Sequence, residues 1–373
     1  MIKRIYIDNF KCLVNFEINP KNFQLWLGNN GNGKSSVLEA LDGIRRVVSG
    51  EPVHLAFPNE SLTQWESRKE QTIAVEILLE GDLYEYKLIV EQLGNHRHDS
   101  TSCRIKEETL KWNNTPFYHF DGQEAHLFQV NRKTQETEEG THFPADWSRS
   151  MLASIGERDD NEPLVVFRQA VSKWLIVHPN PPIMREVAQG ESDRLFLHSN
   201  NFAHWYWFLS LENQNAVFQL RKDLMEVLPG FDGLRLKEAG DAKRLVADFK
   251  IGSKLCAFGF KELSDGQRQL IVLYAILAAL KAGEFSALFI DEPDNFVSLR
   301  EIQPWQKLLE EVCDEENRQA VIISHHPEII NTMAHGSELW FSRPQGLHVR
   351  AAAFPEMDGL TPAEIIARGW DDE

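Results

Sequence analysis

The stretch Phe23-Gln24-Leu25-Trp26-Leu27-Gly28-Asn29-Asn30-Gly31-Asn32-Gly33-Lys34-Ser35 decides the fold. Asn22–Leu27 reads as a buried strand, and a helix follows from about Lys34 to Val48 with Val37, Leu38, Leu41 and Ile44 on its apolar face. Between them, Gly28 to Ser35 satisfies the pattern G-x-x-x-x-G-K-[ST] in the strand–loop–helix context that gives the pattern meaning. Glycines let successive backbone N–H groups turn inward as an anion nest, and the helix N-terminus adds the positive end of its dipole. The loop asparagines Asn29, Asn30 and Asn32 tolerate the left-handed conformations such a turn needs. Lys34 is therefore expected to reach the β- and γ-phosphates of a nucleotide, and Ser35 to hold Mg²⁺ through its hydroxyl.

Two later strand ends supply matching chemistry. Leu288-Phe289-Ile290 runs into Asp291-Glu292-Pro293, and a buried strand ends on two carboxylates most readily where a cation waits. Asp291 is placed to hold Mg²⁺, and Glu292 to polarise an attacking water. Further on, Ala320-Val321-Ile322-Ile323 ends in Ser324-His325-His326-Pro327. His325, the first histidine after that strand, is the one expected to sense the γ-phosphate through a ring N–H.

The rest of the chain is organised around these ends. Residues 2–8 and 14–19 read as strands, followed beyond the first helix by alternating runs at Thr72–Leu79, Tyr84–Glu91, Arg104–Trp112 and Pro116–Phe120 with hairpin signals between them. Residues 131–162 are polar and read as mobile connections. A helical section is expected from about Leu164 to Leu228, including Trp174-Leu175-Ile176 and the aromatic run Phe202 to Phe208, whose aromatics read as core. Strands at Arg244–Lys250 and Lys254–Phe260 then lead to a helix over Gln267–Ala282. Strand–helix alternation at both ends predicts an α/β fold built around the P-loop, with a parallel core sheet assembled from the two termini, an antiparallel β subdomain and an inserted helical subdomain. The expected division is 1–150, 151–262 and 263–373.

Composition sets the outer limits. With 373 residues, 42% hydrophobic and 25% charged, the chain is an ordinary globular one. It has no apolar run of about 18 residues, so no membrane span is expected. The four scattered cysteines, Cys12, Cys103, Cys256 and Cys313, form no Cys-x-x-Cys pair; they fit a reducing, cytoplasmic setting and offer neither a zinc site nor a disulfide framework. The net charge of −17 disfavours broad nonspecific DNA binding. His96-Arg97-His98 reads as a solvated loop in preference to a contact patch.

Taken with Leu263-Ser264-Asp265-Gly266-Gln267, these elements in this order resemble the ABC-type ATPases, and within them the soluble SMC/Rad50/RecF-like branch. Ile5 to Lys11 and Gly28 to Ser36 look like that branch's opening strand and Walker A, Leu263–Gln267 like its signature motif, Leu288–Pro293 like Walker B with the catalytic glutamate, and Ser324-His325 like the switch-histidine loop. The spacing of 229 positions between Ser35 and Ser264 (264 − 35) exceeds a transporter cassette, yet the gap lacks long heptads and a Cys-x-x-Cys hook. A short insertion fits the RecF type or the AAA-family ATPases often associated with phage defence, which the strand Glu338–Phe341 and the tail from Leu360 to Trp370 also resemble.

The resemblance implies ATP and Mg²⁺ as ligands, with nucleotide contacts from Asn29, Asn30, Gly31, Asn32, Gly33, Lys34, Ser35 and Ser36. It implies metal contacts from Ser35 and Asp291, and catalysis by Glu292 with His325. It further implies a homodimer in which Ser264 and Gly266 of one chain complete the ATP site of the other. Asp265 stands where the family usually has glycine, Asp294–Leu299 lacks the usual D-loop residues, and no glutamine takes the Q-loop place, since Gln123 lies in a hairpin turn. The resulting expectation is an ATPase gating DNA repair or anti-phage defence, acting on DNA or through a co-encoded effector protein. The alternative is a nucleotide-sensing scaffold of slow turnover; a transporter subunit is disfavoured by the long insertion.

Overall fold

Short, almost wholly apolar strands form the centre because both of their faces are covered. The computed structural model describes residues 1–94, 103–130, 137–158, 160–315, 318–333, 338–354 and 360–368. In it Trp174–Val177, Ala287–Asp291, Ala320–Ile323, Phe23–Leu27 and Leu339–Ser342 lie side by side as parallel strands, with Arg350–Ala353 antiparallel at one edge. Alternate residues point to opposite faces. Leu25, Leu288, Ile290 and Ile322 enter one hydrophobic core, and Trp26, Phe289, Val321 and Ile323 enter the other.

The first core holds the helices Phe202–Glu212, Gln214–Val227, Asp265–Lys281 and Leu299–Glu315. Asp265–Lys281 is buried on every side from Arg268 to Leu280, as a helix threaded through a core must be. The second core holds the helix Lys34–Val48 and an antiparallel sheet of eight strands. In spatial order these are Phe16–Ile18, Ile2–Asp8, Glu70–Leu79, Asp82–Gln92, Cys103–Trp112, Thr115–Phe120, Glu124–Val130 and Thr137–Pro144. A smaller sheet of Val187–Ala188, Phe231–Ala239, Ala242–Ile251 and Lys254–Gly259 lies in the inserted region. Gln319 ties the first two sheets together: its side chain accepts from Ile2 N at 2.7 Å and donates to Ile2 O at 2.9 Å.

The α/β architecture is the one expected, and three local readings change. Trp174–Val177 is a strand of the central sheet, not part of a helical section; the preceding helix, Glu162–Ser172, stops short of it. A short apolar run has no period of its own to separate strand from helix. Residues 131–162 are not simply connections, because Thr137–Pro144 forms the last strand of the large sheet and Glu162 opens a helix. Glu124–Val130 and Phe231–Ala239 are further strands whose patterns the sequence did not disclose. The aromatic run does form a helix, with Phe202, Trp205, Tyr206 and Leu209 buried at helical spacing. His96-Arg97-His98 lies outside the described residues.

A buried carboxyl locks the large sheet to the segment that follows it. Glu108 is fully buried and accepts from Tyr86 Oη at 2.7 Å, Ser150 Oγ at 2.7 Å and Tyr118 Oη at 3.2 Å. Burial raises its pKa, although all three donors oppose the rise. A proton held more tightly in the folded chain stabilises the fold fully below the unfolded value of 4.5, and this contribution disappears as pH rises through the raised folded value. Urea midpoints measured against pH are therefore expected to show wild type losing stability relative to Glu108→Gln as pH climbs above 4.5. Parallel curves for the two proteins would contradict a raised Glu108 pKa.

Candidate functional site

Parallel strands all end on the same side of a sheet, so the loops that leave them share one edge. Here that edge gathers Gly28 after Leu27, His178 after Val177, Asp291-Glu292 after Ile290, and Ser324-His325 after Ile323. Register aligns them: Val177 pairs with Ile290, Asp291 with Ile323, and Ile323 with Trp26.

The loop Gly28–Ser35 is moored to the neighbouring strand. Asn32 Nδ2 donates to Phe341 O at 2.8 Å. Gly28 has φ of 137°, and a Cβ built there would lie 2.3 Å from that same carbonyl oxygen, so only glycine fits. Asn29, Asn30 and Gly31 form an exposed lip. The helix Lys34–Val48 starts at Gly33 with no side-chain cap, leaving its N–H groups open to an anion. Ser36, one turn-step inward, accepts from the Cys12 thiol at 3.8 Å.

Lys34 is buried beneath the loop, its Nζ donating to Gly28 O at 2.5 Å and Asn29 O at 3.1 Å. Burial pulls its pKa down to about 8, against the opposing pull of the Asp291 and Glu292 charges. Ser35 Oγ donates to Asp291 Oδ2 at 2.9 Å across 256 residues of sequence. Octahedral Mg²⁺ at about 2.0–2.1 Å from its ligands places adjacent oxygens about 2.9 Å apart, so this oxygen pair has the spacing of one edge of such a site.

Glu292 leaves the strand with φ of 48°, a left-handed backbone uncommon for a side-chain-bearing residue. The turn is held by Glu292 N donating to Ile323 O at 2.8 Å, and by Asn295 Nδ2 donating to Glu292 Oε2 at 2.8 Å. His325 has its pKa lowered by burial and by the nearby Lys34 charge, which favours the neutral ring. The adjoining Asp294 has its pKa raised by burial, while a hydrogen bond from Ser324 opposes that rise and links this turn to the histidine loop.

His178 was not foreseen. Its Nδ1 lies 3.7 Å from Asp291 Oδ2 and its Nε2 3.9 Å from Glu292 Oε2, so it spans both carboxylates. Asp291 is the main cause of its raised pKa. The signal was present in kind, because Trp174-Leu175-Ile176-Val177 followed by a polar residue has the same form as the strand ending in Asp291.

Lys34, Ser35, Asp291, Glu292 and His325 therefore converge. Ser264 and Gly266 do not join them in the hydrogen bonds of the described residues. Ser264 is exposed and caps the helix Asp265–Lys281 in a capping box with Gln267, accepting from Gln267 N at 3.2 Å while Gln267 Oε1 accepts from Ser264 N at 3.0 Å. Gly266 lies against Phe296, whose carbonyl oxygen would be 2.7 Å from an added Cβ. Arg268 donates to Pro181 O at 2.6 Å and pairs with Asp265, and Gln269 Nε2 donates to Pro293 O at 3.0 Å. The start of this helix thus touches the segments that follow both His178 and Glu292.

A phosphate-type loop, an acidic strand end and a histidine loop on one edge of a parallel sheet, with a capped helix reaching toward them, define an ABC-type ATPase head. The chain belongs to the RecF/RecN/SMC N terminal domain family, which it matches over residues 1–345. Among solved structures it is similar to an SmcHead bound to the C-winged helix domain of ScpA, with a TM-score of 0.58 and 13% identity over 94% of this chain and 97% of that one. It is also similar to the Smc head domain with an extended coiled coil, bound to the C-terminal domain of ScpA and derived from Pyrococcus furiosus, with a TM-score of 0.56 and 11% identity over 100% and 99% of the two chains. These likenesses speak for the fold. A search of curated protein sequences returned no match. No helix among the described residues is long and apolar enough to cross a membrane.

The mooring of the loop is testable. Gly28→Ala combines a backbone collision with a left-handed φ and is expected to destabilise by about 2–4 kcal/mol in urea unfolding. Gly31→Ala has open space at its Cβ and is expected to cost only the conformational penalty of about 1–2 kcal/mol. Equal losses for the two variants would contradict the Phe341 contact.

Proposed function

We propose that two copies of this chain close around ATP, hydrolyse it at composite sites, and use the cycle to gate DNA repair or anti-phage defence through a separate effector. The observation that carries the ATPase reading is the Ser35–Asp291 contact beside the buried Lys34. In this reading Asn29 to Ser36 cradle the phosphates, with Lys34 as the charge beneath them. Ser35 and Asp291 are the residues that would hold Mg²⁺, which would supply positive charge to offset the negative charge developing on the phosphates. Glu292 orients and polarises the attacking water from its held position, and a neutral His325 donates toward the γ-phosphate. His178, a positioning residue, keeps the Asp291 and Glu292 carboxylates apart and aimed.

Ser264 and Gly266 act on the nucleotide of the second copy. What supports this is that Ser264 is exposed at a helix N-terminus and that its hydrogen bonds among the described residues stay within its own helix. The charge of −17 supports an effector with a basic face over extended contact with a phosphate backbone. ATPase rates with double-stranded DNA and with a co-encoded partner separate the two routes: stimulation by the partner is expected, and stimulation by DNA alone would make DNA the direct ligand.

Two measurements address the ATP cycle. Glu292→Gln is expected to slow hydrolysis by about 10²-fold or more and to accumulate an ATP-bound dimer in light scattering. One unchanged species across nucleotide-free, ATP-bound and Glu292→Gln samples would sink the gating reading. Phosphate charge raises the Lys34 pKa on binding, so ATP binding is expected to take up a proton near pH 8 and little well below it. Calorimetry in buffers of different protonation enthalpy reads this uptake. Lys34→Ala should abolish the uptake and weaken binding by about tenfold or more; uptake that survives in Lys34→Ala would assign the proton elsewhere.

A further inference from the structure

Far along the large antiparallel sheet from the core strands, three histidines fall on one line. Register pairs His119 with His126, and His126 with His142, on the last three strands of the sheet. Residues directly opposite on adjacent antiparallel strands project to the same face. Glu124, two residues before His126 on its strand, shares that face. His126 Nε2 and His142 Nδ1 are 3.1 Å apart with ring centroids at 3.8 Å. Glu124 Oε2 lies 4.0 Å from His126 Nε2, and one ligand atom from each of the three residues lies within 4.8 Å of the others. Phe128 packs beside the His126 ring at 6.3 Å, and His119 stands edge-on to it at 6.1 Å.

We propose that Glu124, His126 and His142 bind a divalent cation of the imidazole-preferring class, Zn²⁺ being the representative. Zinc at about 2.0–2.1 Å from each ligand in a tetrahedron places neighbouring ligand atoms about 3.3–3.4 Å apart. The two nitrogens are within a few tenths of an ångström of that spacing, and the exposed Glu124 closes the remainder by side-chain rotation. Two imidazoles and one carboxylate are a zinc-type donor set, whereas the Ser35–Asp291 pair is all oxygen and suits a hard cation. The two sites therefore sort ions by donor chemistry. His126 and His142 lie on neighbouring strands, and Thr137–Pro144 is the outermost strand, so a bound ion cross-links the edge of the sheet.

The test uses the full chain stripped of metal and titrated with Zn²⁺ and, as a coloured substitute, Co²⁺. One equivalent is expected to bind, to raise the thermal midpoint, and to produce tetrahedral Co²⁺ absorption without sulfur charge-transfer bands. Because losing even an outer hydrogen-bond partner costs about 10–100-fold in metal affinity, His126→Ala and His142→Ala are each expected to weaken binding about a hundredfold or more. Both should melt like metal-free wild type, and Lys34→Ala should bind Zn²⁺ as wild type does. His142→Gln repeats the test without the full loss of side-chain packing should an alanine variant fail to fold. Equal Zn²⁺ affinity in wild type and in the His126→Ala/His142→Ala double variant, or sulfur charge-transfer in the Co²⁺ spectrum, would overturn the assignment.

Discussion

The hydrogen bond from Ser35 to Asp291 is the contact on which the rest of the arrangement depends. It exists only because Phe23–Leu27 and Ala287–Asp291 run parallel with Ala320–Ile323 between them, so that two distant loops emerge at one level. The middle strand is apolar on both faces and fixes the register through Ile322 and Ile323. A charged residue can end such a strand at low cost only where solvent or a cation receives it. The fold and the candidate chemistry are thus one constraint: an apolar sheet buried on both sides, with its polar groups confined to one edge.

That edge is linked to the helix that begins at Ser264. Gln269 reaches the carbonyl of Pro293, next to Glu292, and Arg268 reaches that of Pro181, three residues beyond His178. Asp294 and Ser324 connect the turn after Glu292 to the loop carrying His325. A change in the charge held between Ser35 and Asp291 would act on His178 and Glu292 first, then through these short links on the helix start. In the proposed cycle this is how occupancy of one copy's site reaches the surface offered to the other, with ATP favouring the closed state through its contacts there.

How far this was legible from sequence depended on whether a segment carried its own period or punctuation. Gly28 to Ser35 did, because phosphate-type loops need glycine at fixed offsets between a strand and a helix. Asp291 and His325 were legible as polar residues closing apolar runs. Trp174–Val177 was not, since four consecutive buried residues satisfy helix and strand alike, and His178 was lost with it. The outer strand Thr137–Pro144 carries too many polar residues to alternate clearly, and the alternation of Glu124–Val130 breaks at Leu127-Phe128, where the register shifts. With them went the alignment of His119, His126 and His142, a product of register and not of spacing along the chain. Ser264 shows a different limit: its spacing from Gln267 is a helix cap in the single chain, and its resemblance to a signature motif concerns a second one.

The central claim is that the Ser264 of one chain completes the phosphate site of another, and mixing two separately inactive variants tests it most directly. Lys34→Ala removes the charge beneath the loop, and Ser264→Arg blocks the helix start, so each homodimer has two damaged sites. A mixed dimer pairs the intact Lys34 of one chain with the intact Ser264 of the other and restores one site. ATP hydrolysis that is absent from each variant alone and returns on mixing is the expected result. A mixture as inactive as its parts, with mixed dimers demonstrated in the same sample, would contradict completion of the site between chains.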